Sequence, residues 1–317
     1  MNTTHSTTDE TLPYTVVGGR HVDRASNPTD LITLVVLNRG RSANRSGFFG
    51  RLLDLGFTDI LSVENSGAHY DVEGLSRAHR DVRFLLLRRK TSVGEQVNVS
   101  MQEARGLFVY VVWNDMRVSP VTDGMREALR ARNFLCTAPF LRNQKSEVLP
   151  TAMTPAFHRS RLKVLALQPA YTGTPTVYPY DYVGVYNREQ FVFSGGYDHR
   201  ISSPYWQKLD FGFRAHMWGY TIQVDPQFTA TSTQVPAEDA TPDESYKRFF
   251  LKNLSVRFSA DQATLPLSRF PGFAVRTGGG LYRNWRLFRE IQDWVRENRY
   301  RFKQDSRRVT ELWEPEK

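Results

Sequence analysis

One stretch, residues 94–118, constrains the fold more than any other, and it reads GEQVNVSMQEARGLFVYVVWNDMRV. Its first half has apolar side chains at helical spacing, and Gly106 follows where a glycine commonly ends a helix. Residues 107–113 are an unbroken apolar run, which is typical of a strand covered on both faces. Asn114 and Asp115 come next. The stretch therefore predicts a helix that leads into a buried strand, with an acid directly after it.

The chain before this stretch shows the same alternation. Apolar runs at residues 31–37, 59–63 and 82–87 predict three more strands, with helical patterns between them. Alternating strands and helices favour a parallel sheet with right-handed crossovers. Ligands bind such sheets at the carboxyl ends of the strands, so polar residues there should meet in one crevice. These residues are Asn38, Arg39, Glu64, Asn114 and Asp115. The alternative is that they only form polar turns.

Several classes of site are excluded by what the sequence lacks. The single cysteine, Cys136, excludes an internal disulfide framework and a zinc site built from cysteines. The seven histidines are scattered without metal-ligand spacing. No GxGxxG follows the first predicted strand, and the phosphate-binding pattern GxxxxGK(S/T) is absent. These absences count against a dinucleotide-binding dehydrogenase and a P-loop NTPase.

Charge and hydropathy indicate which partners and which compartment the protein has. Hydrophobic residues make up 40% of the sequence, enough for a substantial core, and the formal net charge is +9. A positive balance favours an anionic partner such as nucleic acid, nucleotide phosphate or an acidic membrane surface, with plain solubility as the alternative. The beginning of the sequence lacks a signal-peptide pattern, and no apolar run reaches the roughly 20 residues of a membrane-spanning helix. We therefore expect a cytoplasmic protein.

The remaining segments have weaker patterns. Residues 1–29 are polar and predict a mobile leader. Prolines interrupt the pattern between residues 137 and 180. The elements predicted after residue 118 are helices at 123–136 and 205–216, strands at 162–167 and 221–224, short extended pieces at 183–186 and 191–193, and a surface loop at 229–245.

The C-terminal segment, residues 281–302, is amphipathic and rich in arginine. Between Arg276 and Arg308 there are ten Lys or Arg residues against four acids. The favoured interpretation is a helix docked on the domain with an arginine-rich solvated face. The alternative is a peripheral helix that lies on anionic lipid. Nucleic-acid binding ranks third, because no recognisable motif accompanies the charge.

Four parts of the sequence resemble the inverting glycosyltransferases of family 2, which have the GT-A fold. The matching segments are LITLVVLNR, DILSVENSG, VGEQVNVSMQEARGLFVYVVWNDM, and VYNREQFVFSGGYDHR followed by YWQKLDFGFRAHMWGYTI. They cover residues 31–118 and 180–224, and their order and spacing carry the resemblance. It implies an α/β fold: a GT-A-like, Rossmann-related mixed sheet flanked by helices, with a C-terminal helical extension.

The resemblance also implies a domain organisation. After the leader (1–29), residues 30–228 would form the GT-A-like domain. Its nucleotide-binding half would be residues 30–118, and its acceptor half residues 119–228. Residues 229–317 would form a loop and a basic amphipathic helical extension.

Roles for individual residues follow from the same resemblance. Asp115 matches the metal-binding acid of the family, which would hold a divalent Mn²⁺ or Mg²⁺ ion. Family members usually have two or three acids where this chain has Asn114, Asp115 and Met116. Glu64 takes the place of the acid that contacts the nucleotide base. The implied donor-binding residues are Asn38, Arg39, Glu64, Asn98, Asn114 and Lys208.

The catalytic base is harder to assign. Glycosyl transfer needs a base that takes the proton of the acceptor hydroxyl. The Glu-Asp pair that supplies it in the family matches Gln207 and Lys208 here, and Lys208 is a base only if burial lowers its pKa by several units. The candidates are therefore Asp210, one turn later, and Asp198. The alternative is that Asp198 stabilises the glycine turn and Asp210 pairs with Arg214.

The sequence thus predicts a hexosyltransferase-type glycosyltransferase. It would move a sugar from a UDP- or dTDP-type donor to a cell-envelope or polysaccharide acceptor, either carbohydrate or lipid-linked. The alternative is a catalytically impaired GT-A protein that binds nucleotide sugars or acts as a scaffold. Peripheral membrane contact would go through residues 281–302, and no nucleic-acid partner is expected.

Overall fold

The computed structural model describes residues 12–19, 32–40, 44–67, 71–158, 161–234 and 236–313. Within these ranges the strands are β1 (Tyr14–Gly18), β2 (Ile32–Leu37), β3 (Asp59–Glu64), β4 (Val82–Leu87), β5 (Phe108–Trp113), β6 (Met116–Val118), β7 (Cys136–Arg142), β8 (Ala152–His158), β9 (Arg161–Leu167), β10 (Thr174–Pro175), β11 (Gly184–Asn187), β12 (Ile222–Ser232), β13 (Arg257–Ser259) and β14 (Gln262–Thr264).

The α-helices in the same ranges are α1 (Arg45–Asp54), α2 (Val72–Ala78), α3 (Val93–Glu103), α4 (Asp123–Ala131), α5 (Arg188–Phe193), α6 (Pro204–Met217), α7 (Glu244–Phe249), α8 (Phe270–Thr277), α9 (Leu281–Asn298) and α10 (Ser306–Glu311). Short 3₁₀ turns occur at Tyr180–Tyr182 and Leu267–Arg269, and a π-helical turn at Phe250–Leu254 follows α7.

Ten strands of the described chain form one mixed sheet in the order β1-β4-β3-β2-β5-β11-β7-β12-β10, with β6 beside β12. The run β4-β3-β2-β5 is parallel, and β11 enters antiparallel between β5 and β7. Every residue of β2, β3 and β5 is buried, as expected for strands covered on both faces of the sheet. The predicted mixed α/β sheet is confirmed.

The helix in the stretch at residues 94–118 begins at a well-formed cap. The Ser92 hydroxyl accepts from the Glu95 N–H, and the Glu95 carboxylate accepts from the Ser92 N–H, which satisfies two free donors of the first turn. The helix ends at Glu103, before the glycine that was predicted to end it. The N–H of Gly106 instead donates to the Thr33 hydroxyl at 2.9 Å, which ties the turn to β2.

The leader prediction is wrong for part of residues 1–29. Strand β1 pairs antiparallel with β4 and forms one edge of the sheet. The short YTVVG segment can form a strand there because β4 offers it a free row of backbone hydrogen-bonding groups. Residues 1–11 and 20–29 lie outside the described ranges.

Three further predictions in the second half differ from the structure. Residues 191–193 belong to helix α5, because the Asn187 side chain accepts from the Gln190 N–H and caps a helical turn. Helix α4 ends at Ala131, and Cys136 begins β7 between β11 and β12. Strand β12 continues to Ser232, so the predicted boundary at residue 228 falls inside a strand.

The C-terminal extension packs on the same core. Phe288, Ile291 and Val295 of α9 are buried. Trp294 stacks on Trp218, with ring centroids 6.0 Å apart, and the Lys303 N–H donates to the carbonyl of Met217. None of the helices in the described residues combines the length and the apolar character needed to cross a bilayer.

Candidate functional site

A cavity of about 510 Å³ opens at the carboxyl ends of β2 and β5. The pairing of Leu37 with Trp113 sets these two ends side by side, so the residues that follow each strand meet there. Five charged residues at this place form the crevice cluster, which is Arg39, Asp115, Asp181, Lys208 and Glu238. All but Asp115 line the cavity itself.

Arg39 is the centre of the crevice cluster. Its Nε donates to both oxygens of Asp115 at 3.1 Å, and its Nη1 donates to Oδ2 of Asp181 at 2.6 Å. The guanidinium lies over the Trp113 ring, 4.6 Å from the centroid, which adds a cation–π contact. Asn114 accepts the backbone N–H of Arg39 at 3.2 Å. The sequence-based expectation that these strand ends converge is correct in geometry, and their role in donor binding stays a prediction.

Asp181 was not identified from the sequence. It lies in the YPYDY segment with φ of 52°, a left-handed conformation that is uncommon for a residue with a side chain. The indole N–H of Trp113 donates to its carbonyl at 2.9 Å and helps to hold this backbone in place. Burial raises the pKa of the Asp181 carboxyl, although Arg39 and Lys208 act in the opposite direction. Strained backbone and a raised carboxyl pKa next to a cavity are common at functional sites.

Lys208 is buried at the opposite wall of the cavity. Its ammonium pairs with Glu238 and lies 5.4–5.7 Å from the ring centroids of Tyr178, Tyr180 and Tyr182. A buried ammonium needs such compensation, because the cost of removing a charge from water is several kcal/mol. Lys208 is thus positioned as a fixed positive charge that faces the cavity.

Residues 233, 234 and 236–243 form a strap that closes one side of the cavity. The Thr233 hydroxyl donates to Asp115 at 3.1 Å, and the Trp206 indole N–H donates to the Thr241 carbonyl at 3.0 Å. Glu238 extends from this strap to Lys208. The sequence suggested only a polar surface loop here, because nothing in the local pattern reveals that Glu238 meets a lysine thirty residues away.

Asn38 and Glu64 lie at the ends of the neighbouring strands β2 and β3. The Asn38 amide donates to the Val63 carbonyl at 2.7 Å, and Ser62 donates to Glu64 at 2.7 Å. Arg45, at the start of α1, pairs with both Glu64 and Asp71. Burial raises the pKa of the Glu64 carboxyl against the effect of Arg45. Glu64 is therefore adjacent to the crevice but already has two partners, and its contact with a nucleotide base stays a prediction.

Asn98 has a structural role beside its predicted donor contact. Its amide N–H donates to the Tyr197 carbonyl at 2.7 Å, and its oxygen accepts the Tyr197 N–H at 2.9 Å. These two bonds clamp the turn at Gly195 and Gly196 against α3. Both ends of the Asn98 amide thus contact Tyr197, and its contact with a donor stays a prediction.

The predicted catalytic bases Asp198 and Asp210 belong to a second group, the buried cluster, which is Asp198, Asp210, Arg248, Lys252 and Asn253. Lys252 donates to Asp198 at 2.8 Å and to Asp210 at 3.0 Å. Arg248 donates to Asp198 at 2.8 Å, and Asn253 donates to Asp210 at 2.8 Å. Neither aspartate lines the crevice cavity.

This pairing counts against both assignments as base, which stay predictions. Burial alone would raise the pKa of Asp198, but Lys252 and Arg248 outweigh it and hold the pKa well below its usual range. Asp210 is completely buried, and Arg214 lies 3.9 Å from it. A carboxylate enclosed by cations and shielded from a substrate is a poor proton acceptor. The alternative interpretation, in which both residues are structural, agrees with the geometry.

Gln207 occupies the position where the family has the first acid of its pair, and it too is structural. Its oxygen accepts the Gly94 N–H at 3.0 Å and the Tyr182 hydroxyl at 2.9 Å. Its amide donates to the Ser92 hydroxyl and to the Asp198 carbonyl, both at 3.0 Å. Gln207 therefore joins the start of α3 to α6.

The surroundings of Asp115 do not fit the predicted metal site. Both of its oxygens accept from Arg39, and one also accepts from Thr233. Within the described chain, no three or more His, Cys, Asp or Glu side chains are grouped so that they could hold an ion. Mg²⁺ and Mn²⁺ need several oxygen ligands, and a guanidinium opposes a second cation at this carboxylate. Asp115 is instead an ion-pair partner of Arg39.

Comparison with known proteins identifies the fold. No protein-family model and no curated protein matches the sequence. A crystal structure of GalNAc-T7 with UDP, GalNAc and Mn²⁺ is similar with a TM-score of 0.55 and 11% identity; the match covers 84% of this chain and 57% of that chain. S. aureus TarS 1-349 in complex with UDP-GlcNAc matches with a TM-score of 0.48 and 12% identity, over 82% of this chain and 71% of that chain.

The chain thus spans little more than half of the GalNAc-T7 chain that it resembles. At such low identity the likeness concerns the course of the backbone and not the site residues. It agrees with the sheet order, with the crevice at the strand ends, and with the resemblance found in the sequence. The fold of this chain is that of the GT-A glycosyltransferases.

Proposed function

We propose that this chain is a glycosyltransferase that uses a nucleotide-diphosphate sugar of the UDP or dTDP type. The observation that carries the proposal is the crevice cluster, which sets the cations Arg39 and Lys208 at the carboxyl ends of the sheet strands on a GT-A fold. The GalNAc-T7 structure contains UDP, which supports a nucleotide donor. The transferred sugar would be a hexose, and the compartment the cytoplasm.

The leaving diphosphate is the group that the protein must stabilise. Departure of the sugar leaves negative charge on the diphosphate, and fixed cations aimed at that charge lower the barrier. Arg39 and Lys208 are the cations that line the cavity. Each is paired with a carboxylate, so the donor has to displace Glu238 from Lys208 and share Arg39 with Asp115. The GalNAc-T7 structure holds Mn²⁺, whereas in this chain Arg39 and Lys208 would neutralise the diphosphate.

Asp181 is the base that we propose in place of Asp198 and Asp210. Its carboxyl lines the cavity, and its raised pKa brings it closer to that of an effective proton acceptor at neutral pH. The acceptor hydroxyl oxygen bonds to the anomeric carbon while the bond from that carbon to the diphosphate oxygen breaks. The hydroxyl proton passes to Asp181, and the electron pair of the broken bond leaves with the diphosphate. The anomeric configuration is inverted.

The acceptor would enter through a second, larger cavity of about 970 Å³. Tyr205 and Asp243 line both cavities, so the two spaces are neighbours. Leu162, Val164 and Trp206 give the larger one an apolar wall. We propose a cell-envelope or polysaccharide acceptor, carbohydrate or lipid-linked.

A second candidate function rests on Gln207 and on the paired state of Arg39. A GT-A protein without the usual acid pair, whose cations are neutralised by its own carboxylates, would bind nucleotide sugars or act as a scaffold without transferring sugar. This alternative predicts nucleotide binding with no turnover.

Calorimetry with UDP and with dTDP, each with and without Mn²⁺, separates these possibilities when it is followed by a donor-hydrolysis screen. We expect binding that Mn²⁺ does not enhance, loss of binding in Lys208→Met, and no change in Lys303→Met, an exposed lysine that serves as the control. Binding without turnover on a broad donor and acceptor panel would support the second candidate. No binding of any nucleotide would overturn both.

A further inference from the structure

The turn that joins α8 to α9 carries an unusual surface. Residues 267–289 contain five arginines and no acidic residue. Five of the large apolar side chains that the described structure exposes also belong to this segment. We call this set the arginine surface; it consists of Leu267, Val275, Leu281, Tyr282 and Trp285 together with Arg269, Arg276, Arg283, Arg286 and Arg289.

The helix α9 uses its apolar residues in two ways. Phe288, Ile291 and Val295 face the core and are buried, as an amphipathic helix docked on a domain requires. Leu281 and Tyr282, in the first turn, are 70% and 75% exposed. The apolar stripe predicted over residues 281–302 is thus divided, and only its beginning is available to a partner.

Other exposed apolar residues lie on and before α8, which leads into a turn of three glycines, Gly278, Gly279 and Gly280. Val275 is 87% exposed, three residues before the turn. The Asn284 amide donates to the Gly278 carbonyl at 2.8 Å and holds the turn against α9. Phe270 of α8 packs edge-on against Trp285 of α9, with centroids 5.0 Å apart. These contacts hold the two helix ends together, so Val275, Leu281 and Tyr282 project at one rigid tip.

The arginines of this surface lack acidic partners. Among the described residues, no carboxylate lies within ion-pair distance of any of the five, although Arg39 and Arg45 near the crevice and Arg248 in the buried cluster are each paired. Partial burial and the neighbouring cations Arg257 and Arg307 lower the pKa of Arg269. Like charges held together without acids are compensated best by an anionic partner.

We propose that the arginine surface docks on an anionic lipid bilayer. Apolar and aromatic side chains at a helix end enter the headgroup boundary, while arginines around them contact lipid phosphates. A purely solvated face would not expose Val275, Leu281 and Tyr282 together. Docking of this kind requires both the positive charge and the exposed apolar residues. Both occur within residues 267–289, a segment of 23 residues.

The position of this surface has a consequence for the proposed function. Arg276 and Gly279 line the larger cavity. A bilayer held by the arginine surface would therefore lie next to the opening through which a lipid-linked acceptor would enter. This consequence rests on the proposed function, whereas lipid binding itself does not.

Vesicle flotation tests the apolar part of the surface. The full chain is mixed with vesicles of phosphatidylglycerol and phosphatidylcholine or of phosphatidylcholine alone, without nucleotide or acceptor. We expect binding to the anionic vesicles only, and a decrease on the order of tenfold in Leu281→Ser/Tyr282→Ser. The matched control is Val192→Ser/Phe193→Ser, two exposed apolar residues on α5.

The charged part is tested by Arg283→Gln/Arg286→Gln, which should weaken partitioning about 30-fold if each arginine contributes as a basic residue at an anionic surface does. Arg77→Gln/Arg80→Gln makes the same charge change on and just after α2 and should leave partitioning nearly unchanged. Equal loss in this control would mean that net charge alone drives binding, and that would overturn the proposal. Equal binding to neutral vesicles, or tighter binding to single-stranded RNA that the same arginines control, would overturn it as well.

Because the vesicle assay contains no donor, its failure leaves the nucleotide calorimetry unaffected. Conversely, a chain that binds no nucleotide can still bind vesicles. The two proposals therefore fail separately.

Discussion

The crevice cluster and the buried cluster both consist of acidic and basic side chains in ion pairs. They differ in whether a ligand can reach them. The crevice cluster pairs three acids, and the buried cluster two, with basic side chains. In the crevice cluster, Asp115 keeps 17% of its side chain exposed beside an open cavity. In the buried cluster, Asp210 is fully enclosed. Ion pairs at an accessible wall can exchange partners with a ligand, whereas enclosed pairs hold the fold together because breaking them leaves an uncompensated charge.

The difference in access counts against the sequence-based assignment of Asp198 and Asp210 as catalytic bases. Asp198 and Asp210 match the acid-rich block of family 2 glycosyltransferases, yet Lys252 and Arg248 neutralise them. Of the acids that face the cavity, Asp181 lies within the matched residues 180–224 but was assigned no role there, and Glu238 lies outside them. A sequence match therefore does not show whether an acid is available to a substrate. That depends on its ion-pair partners, which come from elsewhere in the chain.

The largest effect is expected when one aspartate of the buried cluster is removed. Asp210→Ala leaves the enclosed Lys252 ammonium with Asp198 alone and takes one of two acceptors from the Asn253 amide. Because the lost carboxylate is fully enclosed, we expect a loss of about 3–5 kcal/mol in the free energy of unfolding. Asp115→Ala is the matched change in the crevice cluster, where Arg39 keeps Asp181, and should cost about 1 kcal/mol or less. Urea denaturation measures both. Equal losses would remove the distinction between the clusters.

A large kinetic effect is expected at Asp181. Asp181→Asn removes the proposed proton acceptor and keeps the shape of the side chain, so kcat should fall by about 10²–10⁴-fold with a smaller change in KM. The control is Asp239→Asn, an exposed acid that lines the same cavity. If Asp198→Asn lowered kcat as much while the protein stayed folded, the base would belong to the other cluster.

At Glu238 we expect a moderate effect, and it is a gain in nucleotide affinity, whereas the changes above are losses. Glu238→Gln frees Lys208 from its carboxylate partner, so the affinity for UDP should rise about fivefold, a gain of roughly 1 kcal/mol. Calorimetry of the variant against wild type measures the change, and Glu244→Gln on α7 serves as the control. Weaker nucleotide binding in Glu238→Gln would mean that Glu238 supports the site and does not compete for it.

The smallest expected effect is the pH dependence of stability. The contributions of the two clusters to it have opposite signs. The folded pKa of Asp198 lies below its unfolded value of 3.8, so its contribution to stability is full above that value and is lost as the pH falls through the folded pKa. The folded pKa of Asp181 is raised, so its contribution is full below the unfolded value and is lost as the pH rises through the folded pKa.

Unfolding free energies between about pH 6 and about pH 3 check these signs. Asp198→Asn should make the loss of stability towards low pH shallower than in wild type, and Asp181→Asn should make it steeper. The same slope change in both variants would contradict the opposite pKa shifts.

Much of the structure described within residues 30–118 could be predicted from the sequence. Strand β5 is an unbroken apolar run, β2 is interrupted only by Thr33, and β3 has an apolar centre at Ile60 and Leu61. Such runs form buried parallel strands with little help from distant residues. Because the carboxyl ends of parallel strands meet, the convergence of Arg39 with Asp115 followed from two local patterns. The second half was predicted less well, since β7, β8 and β12 contain prolines and polar residues that only their sheet neighbours accommodate.

The sequence by itself therefore determined which residues follow the central strands, and with that the position of the crevice. Only the tertiary structure decided how those residues are paired. Asp115 meets Arg39, Lys208 meets Glu238 from the strap, and Lys252 reaches both Asp198 and Asp210 across more than forty positions of sequence. Hydrophobic periodicity is a local property of the chain, whereas ion pairing depends on which distant side chains the fold brings together in the absence of water.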